Sequence, residues 1–157
     1  MVRIALAQVA GGSLEPARML GLAGTMAGEA AAAGALLICF PEQCVTGWSP
    51  KIPPDAGEPL DGPLAAAFSR IARENGIAVA GSLIEAREGE LPRNTAVVFG
   101  ADGALLAAYA KIHLFSPDGE DRYYTAGDRL ATFTLGGVTF GLAVCYDLRF
   151  PELFRIY

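Results

Sequence analysis

The stretch VRIALAQV (2–9) alternates apolar and polar positions, the period of a strand with one buried face. Gly11-Gly12-Ser13 interrupts it, with Ser13 as candidate N-cap and Glu15 and Pro16 suited to a first helical turn. An Ala-rich segment then predicts a helix to about residue 33, ended by Gly34. ALLICF (35–40) has no polar position and predicts a strand buried on both faces of a parallel sheet. A long Pro- and Gly-rich loop follows, and loops of that length inside compact domains tend to be functional. Asp61 is placed to cap the next helix, GPLAAAFSRIARENG, whose Leu64, Phe68 and Ile71 form one apolar stripe. IAVAGSLIEA (77–86), NTAVVFG (94–100) and ALLAAYAKIHL (104–114) read as strands, the last two joined by a hairpin turn at Ala101-Asp102-Gly103. A second loop spans roughly 115–129, and LATFTLGGVTFGLAVC (130–145) reads as two strands around Gly136-Gly137. Cys145 thus ends a strand, and Pro151 opens a short helix. The order β-α-β-α-β followed by successive strands predicts an α/β protein in which helices shield a mixed sheet.

Composition narrows the functional classes. Apolar residues make up 52% of the 157 residues and charged residues 18%, a globular balance suited to a single domain, 1–157. Twelve basic against 17 acidic residues, without a basic run, argue against nucleic-acid or anionic-membrane partners. No uninterrupted apolar window reaches about 18 residues, so no spanning helix is expected. The N-terminus lacks the apolar block and cleavage site of a signal peptide, which predicts a cytoplasmic protein. Three cysteines without a CxxC pair and a single histidine, His113, argue against a disulfide framework and against a metal centre. The chain contains neither a G-x-G-x-x-G run nor a P-loop, which argues against a nucleotide-binding domain.

Three reactive residues then share one kind of place. Glu42 follows ALLICF, Lys111 lies towards the end of ALLAAYAKIHL, and Cys145 ends VTFGLAV. In open α/β sheets, chemistry gathers at the carboxyl ends of strands. Each residue also has an ordinary reading: a solvated carboxylate, a surface lysine, a small buried hydrophobe. Together they suit nucleophilic catalysis. A thiol attacks as its thiolate, with an ordinary pKa of about 8.5. A carboxylate can take the proton, and an ammonium can stabilise first the thiolate and then an oxyanion. A helix beginning at Pro151 would add N-terminal positive potential.

FPE (40–42), AKIHLF (110–115) and AVCYDLRFPE (143–152) resemble, in order, the three motifs of the nitrilase-like carbon–nitrogen hydrolases. IALAQ (4–8), TGW (46–48), GS (81–82), NTAVVF (94–99) and DG (102–103) are similar too. The resemblance implies an α-β-β-α sandwich and a triad in which Glu42 is the general base, Lys111 the cationic oxyanion stabiliser and Cys145 the nucleophile. It implies the Tyr146 backbone N–H as second oxyanion donor. It also implies a second glutamate after the lysine. Glu120 is placed to orient Lys111 or the substrate, with a solvated charge beside Asp121 and Arg122 as the alternative. Arg149 either holds a distal carboxylate by bidentate pairing or pairs with Asp147. Trp48, Tyr123 and Tyr124 either line the pocket mouth or cover the core. His113 invites a Cys–His reading, but the resemblance makes Lys111 the catalytic residue and leaves His113 a structural hydrogen-bonding role. Cys39 and Cys44 are read as structural.

DLRF after the nucleophile resembles the amidase-type branches. The implied activity is that of a cofactor-free amidase: Cys145 attacks a small amide, ammonia leaves, and water activated by Glu42 hydrolyses the thioester. The alternatives are a nitrilase or an N-carbamoyl amino acid hydrolase with the same triad, or a non-catalytic binding or scaffold protein that kept the fold. Members of the family usually associate, so a homodimer or higher homo-oligomer is expected. Similar proteins also continue well past the nucleophile. The chain is therefore expected to be the N-terminal portion of its domain, with exposed apolar surface beside Cys145 and an open side to the pocket; a closed, two-sided sandwich with Leu153, Phe154 and Ile156 buried in its own core would contradict this.

Overall fold

The structure, a computed structural model, describes residues 2–10, 12, 15–53 and 55–157; the candidate cap Ser13 lies outside them. Among these residues the chain runs β1 (Ile4–Leu6), α1 (Pro16–Ala32), β2 (Leu37–Cys39), α2 (Pro63–Asn75), β3 (Ala78–Glu85), β4 (Arg93–Phe99), β5 (Leu105–Ala110), β6 (Thr132–Leu135), β7 (Val138–Gly141) and α3 (Pro151–Ile156). None of the described helices is long and apolar enough to cross a membrane.

Strands β1 to β5 form one sheet in sequence order, with β1, β2 and β3 parallel and β4 and β5 antiparallel to their neighbours. The two β-α-β units step the same way along the sheet. One handedness of crossover then puts both helices on one face, and α1 and α2 do share a core with the sheet. Period-two alternation divides the strand residues between the faces. Ile38, Val79 and Val97 meet Met19, Ala23, Phe68 and Ile71 from the helices. Leu37, Ala78 and Val98 point the other way, to Phe133, with Phe140 packed alongside from the β6–β7 hairpin. At Gly81 a Cβ would come 2.9 Å from the Phe68 ring, so the helix closes on bare backbone there. The layers are helix, sheet and hairpin. Beyond them, the Tyr157 hydroxyl at the end of α3 donates to the Leu142 carbonyl at 2.7 Å.

Three local expectations change. Asp61 does not cap α2. With Gly62 at the N-cap and Pro63 next, the first free amides are those of Leu64 and Ala65, and both donate to Glu58 Oε1, at 2.5 and 3.0 Å. Glu58 is carried there by a parallel bridge to Glu85. Strand β5 ends at Ala110, so Lys111 and His113 lie beyond it rather than on a common strand face. Strand β7 ends at Gly141, and Cys145 opens a 3₁₀ turn, Cys145–Arg149, instead of closing a strand. Just past the strands the Lys111 and Leu142 amides still bond to backbone, and further on the amides of His113 and Val144 donate instead to the Asp147 carboxylate, each at 2.9 Å.

The second face of the sheet is only partly covered. Ile4 and Leu6, on the face of β1 away from the helices, are 40% and 78% exposed. Beside Cys145, Leu148 is 73% exposed, and Phe154 and Ile156 are also exposed, whereas Leu153 is buried.

Candidate active site

The parallel pairing of β2 with β3 and the antiparallel pairings of β4 with β3 and β5 bring the carboxyl ends of β2, β3 and β5 to one end of the sheet, where β4 begins. Glu42 follows β2, Lys111 follows β5, and Asn94 is the second residue of β4. The Lys111 ammonium is fully buried, 3.1 Å from Glu42 Oε1 and 3.1 and 2.9 Å from the two oxygens of Glu120. An isolated buried ammonium is prohibitively costly; here two carboxylates surround it. Burial alone would push the Lys111 pKa down. Hydrogen bonding to Glu120 and the charges of Glu42 and Glu120 outweigh burial and hold it above the usual lysine value.

Glu120 is no solvated loop charge: its side chain is fully buried. It accepts from the Phe115 amide at 2.5 Å and from the Trp48 indole at 3.4 Å. The loop that carries it closes on the sheet because Gly127 has no Cβ. One there would stand 2.1 Å from the Ala110 carbonyl oxygen, and the Gly127 amide donates to Lys111 O at 2.9 Å. Asn94 Nδ2 donates to Glu42 Oε1 at 2.5 Å and to Glu120 Oε1 at 3.4 Å. Glu42 Oε1 thus takes two donors, which orients its carboxylate.

Cys145 is solvent-exposed and lies at φ +49°. That is a sparsely populated conformation for a residue with a side chain, of the kind held at functional sites. Partial burial of the thiol, the negative charge of Glu42 and a hydrogen bond to it push its pKa up, against the pull of Lys111. Gln43, next to Glu42, is the other described non-glycine residue at positive φ, and its amide donates to Ser82 Oγ at 2.7 Å.

Glu42 and Cys145 open on a cleft of about 480 Å³ lined also by Trp48, Phe115, Tyr146, Leu148 and Arg149. Trp48, Phe115 and Tyr146 form a chain of aromatic contacts along it. Of the three aromatic candidates, Trp48 lines the cleft. Tyr123 does not, and Tyr124 is buried behind the site, where its hydroxyl accepts from Gln43 Nε2 at 3.3 Å. Arg149 is exposed and makes no ion pair among the described residues; Asp147, its expected structural partner, is engaged elsewhere. Cys39 and Cys44 are free thiols, half-buried and buried. Burial pushes both up, Cys44 to about 11.

Among the described residues, no three His, Cys, Asp or Glu side chains stand in a metal-holding group. Lys111 fills the place between Glu42 and Glu120 that a cation would take. Asn94, Phe115 and Asp147 were not picked out from the sequence as parts of the site. Their only trace is that NTAVVF, AKIHLF and DLRF stand among the resembling motifs.

Known proteins share this arrangement of chain. Hydrolase MT0498 of Mycobacterium tuberculosis (strain CDC 1551 / Oshkosh) is 42% identical over 160 residues, covering 98% of this chain and 55% of its own length. Human omega-amidase NIT2 is 39% identical over 137 residues, covering 82% of this chain and 49% of its own. The crystal structure of an amidase from Nesterenkonia sp. superposes with a TM-score of 0.82 at 32% identity, over 98% of this chain and 59% of that one. XC1258 from Xanthomonas campestris, a CN-hydrolase superfamily protein with an arsenic adduct in its active site, gives 0.85 at 32% identity, over 96% and 56%. The chain spans about half the length of the curated relatives it matches. The carbon–nitrogen hydrolase family model matches residues 3–157, and with these relatives it establishes that the chain belongs to the carbon–nitrogen hydrolases of the nitrilase superfamily.

Proposed function

We propose that the protein hydrolyses the carbon–nitrogen bond of a small amide through a thioester on Cys145. The observation that carries this reading is the buried Lys111 ammonium held between two carboxylates, one of which, Glu42, also faces Cys145 across an open cleft. The raised thiol pKa means that Cys145 rests as a thiol near neutral pH, so attack needs a base. Glu42 takes the thiol proton as the S–C bond forms. Lys111 and the Tyr146 backbone N–H stabilise the oxyanion. The proton passes from Glu42 to the amide nitrogen as the C–N bond breaks and ammonia leaves. Water then gives a proton to Glu42, its oxygen attacks the thioester, and the carboxylic acid departs as the thiol regains the proton. Glu120 keeps the ammonium in place. Trp48 walls the cleft, and Arg149 is free to hold a distal carboxylate.

This reading draws support from the amidases among the relatives. It is tested by ammonia release from short dicarboxylic monoamides, simple aliphatic amides, nitriles and carbamoyl amino acids. Amides react fastest, and those with a distal carboxylate outrun their aliphatic counterparts. Nitriles or carbamoyl amino acids reacting faster would replace the amidase reading. No acyl adduct at Cys145 by intact-mass spectrometry with any of them would favour a binding protein.

The same reading takes the chain as the N-terminal portion of its domain in a cytoplasmic homo-oligomer. Further residues of the protein would cover the open face at Leu6 and Leu148. The 157 residues expressed alone would then bind a hydrophobic dye and lack activity, and supplying the remaining residues would reverse both. Analytical ultracentrifugation of the intact protein tests the oligomer.

A further inference from the structure

Asp147 is fully buried, and the catalytic scheme above gives it no role. Its carboxylate accepts four hydrogen bonds, two on each oxygen. Oδ1 takes the His113 amide at 2.9 Å and His113 Nδ1 at 2.7 Å. Oδ2 takes the Tyr109 hydroxyl at 2.7 Å and the Val144 amide at 2.9 Å. An ionised carboxylate has about four acceptor sites, and all are filled. Since it can only accept, His113 carries its proton on Nδ1. Burial first, then the hydrogen bond and charge of Asp147, push the Tyr109 hydroxyl well above its ordinary pKa, so it remains a donor.

The placement of the donors is informative. Tyr109 and His113 stand two residues before and two residues after Lys111, and Val144 and Asp147 itself flank Cys145. One carboxylate therefore ties the segment bearing the ammonium to the turn bearing the thiol. Packing of Tyr109 with Val144 and of Phe115 with Tyr146 joins the same segments, but the hydrogen bonds between them run through Asp147. β5 and β7 belong to different sheets, and Cys145 lies four residues past the end of β7. The clamp extends to α3: the Phe150 ring stacks on His113 with centroids 3.6 Å apart, and the Phe150 amide donates to Asp147 O at 3.0 Å.

We infer that Asp147 is the positioning residue that sets Cys145 against Lys111 and Glu42 and holds its positive-φ turn. This inference rests on the catalytic reading for its effect on turnover, but not for its effect on the thiol. Asp147→Asn is the sharpest perturbation. Whichever way the amide is turned, its NH₂ meets two donors where an oxygen accepted two. The cleft-lining side chains and the three reacting groups are untouched by it.

The test is the pH profile of Cys145 alkylation by iodoacetamide in the intact protein, which needs no amide substrate and so separates failure of this inference from failure of the amidase reading. In the native site, burial and Glu42 hold the thiol pKa up. If the turn swings away from Glu42, the inflection falls towards the ordinary cysteine value of about 8.5. With an amide substrate, kcat falls by about 100-fold, as for a displacement of the order of 1 Å, while KM changes little. Tyr109→Phe keeps the volume, removes one of the four donors, and shifts both quantities in the same direction by less. A folded Asp147→Asn protein whose alkylation inflection stays at the native value overturns the inference, whatever happens to its melting temperature. If Asp147→Asn does not fold, Tyr109→Phe decides by the same criterion.

Discussion

The charged half of the cleft and its thiol half are built by different means. Lys111 and Glu120 are fully buried, and Glu42 is 17% exposed. Glu42 and Lys111 follow strands of the five-stranded sheet, one face of which the helices cover, and Glu120 comes from the loop after β5. Several bonds hold each of them, so no single one is decisive. Cys145 instead sits on a solvent-exposed 3₁₀ turn beyond a two-stranded hairpin, next to Leu148 at 73% exposure. A buried ion cluster needs redundancy, because any unpaired charge in it is expensive. A thiol that is to attack a substrate must be reachable, and the polar support of its turn centres on the Asp147 carboxylate. The contrast predicts that the charged half fails by losing stability together with rate, and the thiol half by losing rate alone.

Cys145→Ala gives the largest effect on rate and the least on stability. Turnover falls to the uncatalysed level, and the melting temperature stays within a few degrees of native; activity clearly above background would put the nucleophile elsewhere. Glu42→Gln also removes turnover, yet acts on the thiol in the opposite sense. The Glu42 charge raises the Cys145 pKa, so its removal moves the alkylation inflection to lower pH. A dead enzyme with a more easily ionised thiol identifies Glu42 as the base. An inflection that rises or stays would mean that the carboxylate does not face the thiol.

Lys111→Ala tests the other half. Loss of an oxyanion contact costs about 10²–10³ in kcat. Leaving Glu120 buried without its cation costs about 3–5 kcal/mol of stability. Chemical denaturation and steady-state kinetics on one preparation separate the two effects, and a loss of rate without loss of stability would erase the contrast. The pH dependence follows the same logic. The Lys111 pKa is raised in the folded protein, so its contribution to stability is fully present below the ordinary lysine value of about 10.4 and is lost as pH rises through the higher folded value. Native protein should therefore lose part of its stability advantage over Lys111→Ala only in strongly alkaline solution.

The smallest of these effects belongs to Asn94. Asn94→Ala leaves every charge in place and removes one of two donors to Glu42 Oε1. We expect kcat to fall by about 10-fold, the equivalent of about 1.4 kcal/mol, with KM nearly unchanged. A change in KM alone would move Asn94 from orienting the base to contacting substrate.

Much of this was legible in the amino-acid order. Helix α1 follows from Pro16 and an Ala-rich run, and α2 from the stripe of Leu64, Phe68 and Ile71. β2 follows from an uninterrupted apolar run, and the β4–β5 hairpin from Asp102-Gly103. Local sequence carries such information because caps, turn residues and hydrophobic period act within a few residues. The resemblance in three short motifs also pointed to Glu42, Lys111 and Cys145 as a group; in the fold Glu42 and Cys145 line one cleft and buried Lys111 pairs with Glu42 behind it.

What the tertiary structure decided are the ends of elements and the partners of buried groups. Past the end of β5 the His113 amide finds its acceptor in Asp147, 34 residues away. Glu58 displaces Asp61 as the cap of α2 because a bridge to Glu85 delivers it there. Glu120 becomes a fully buried counter-ion because Gly127 lets its loop press onto the backbone at Ala110. Arg149 is left free because Tyr109 and His113 satisfy Asp147 first. In each case a polar group is paired by a residue brought near only by folding. Hydrophobic period tells which face of an element is buried, but a buried donor or acceptor takes whichever partner the packed chain sets within about 3 Å.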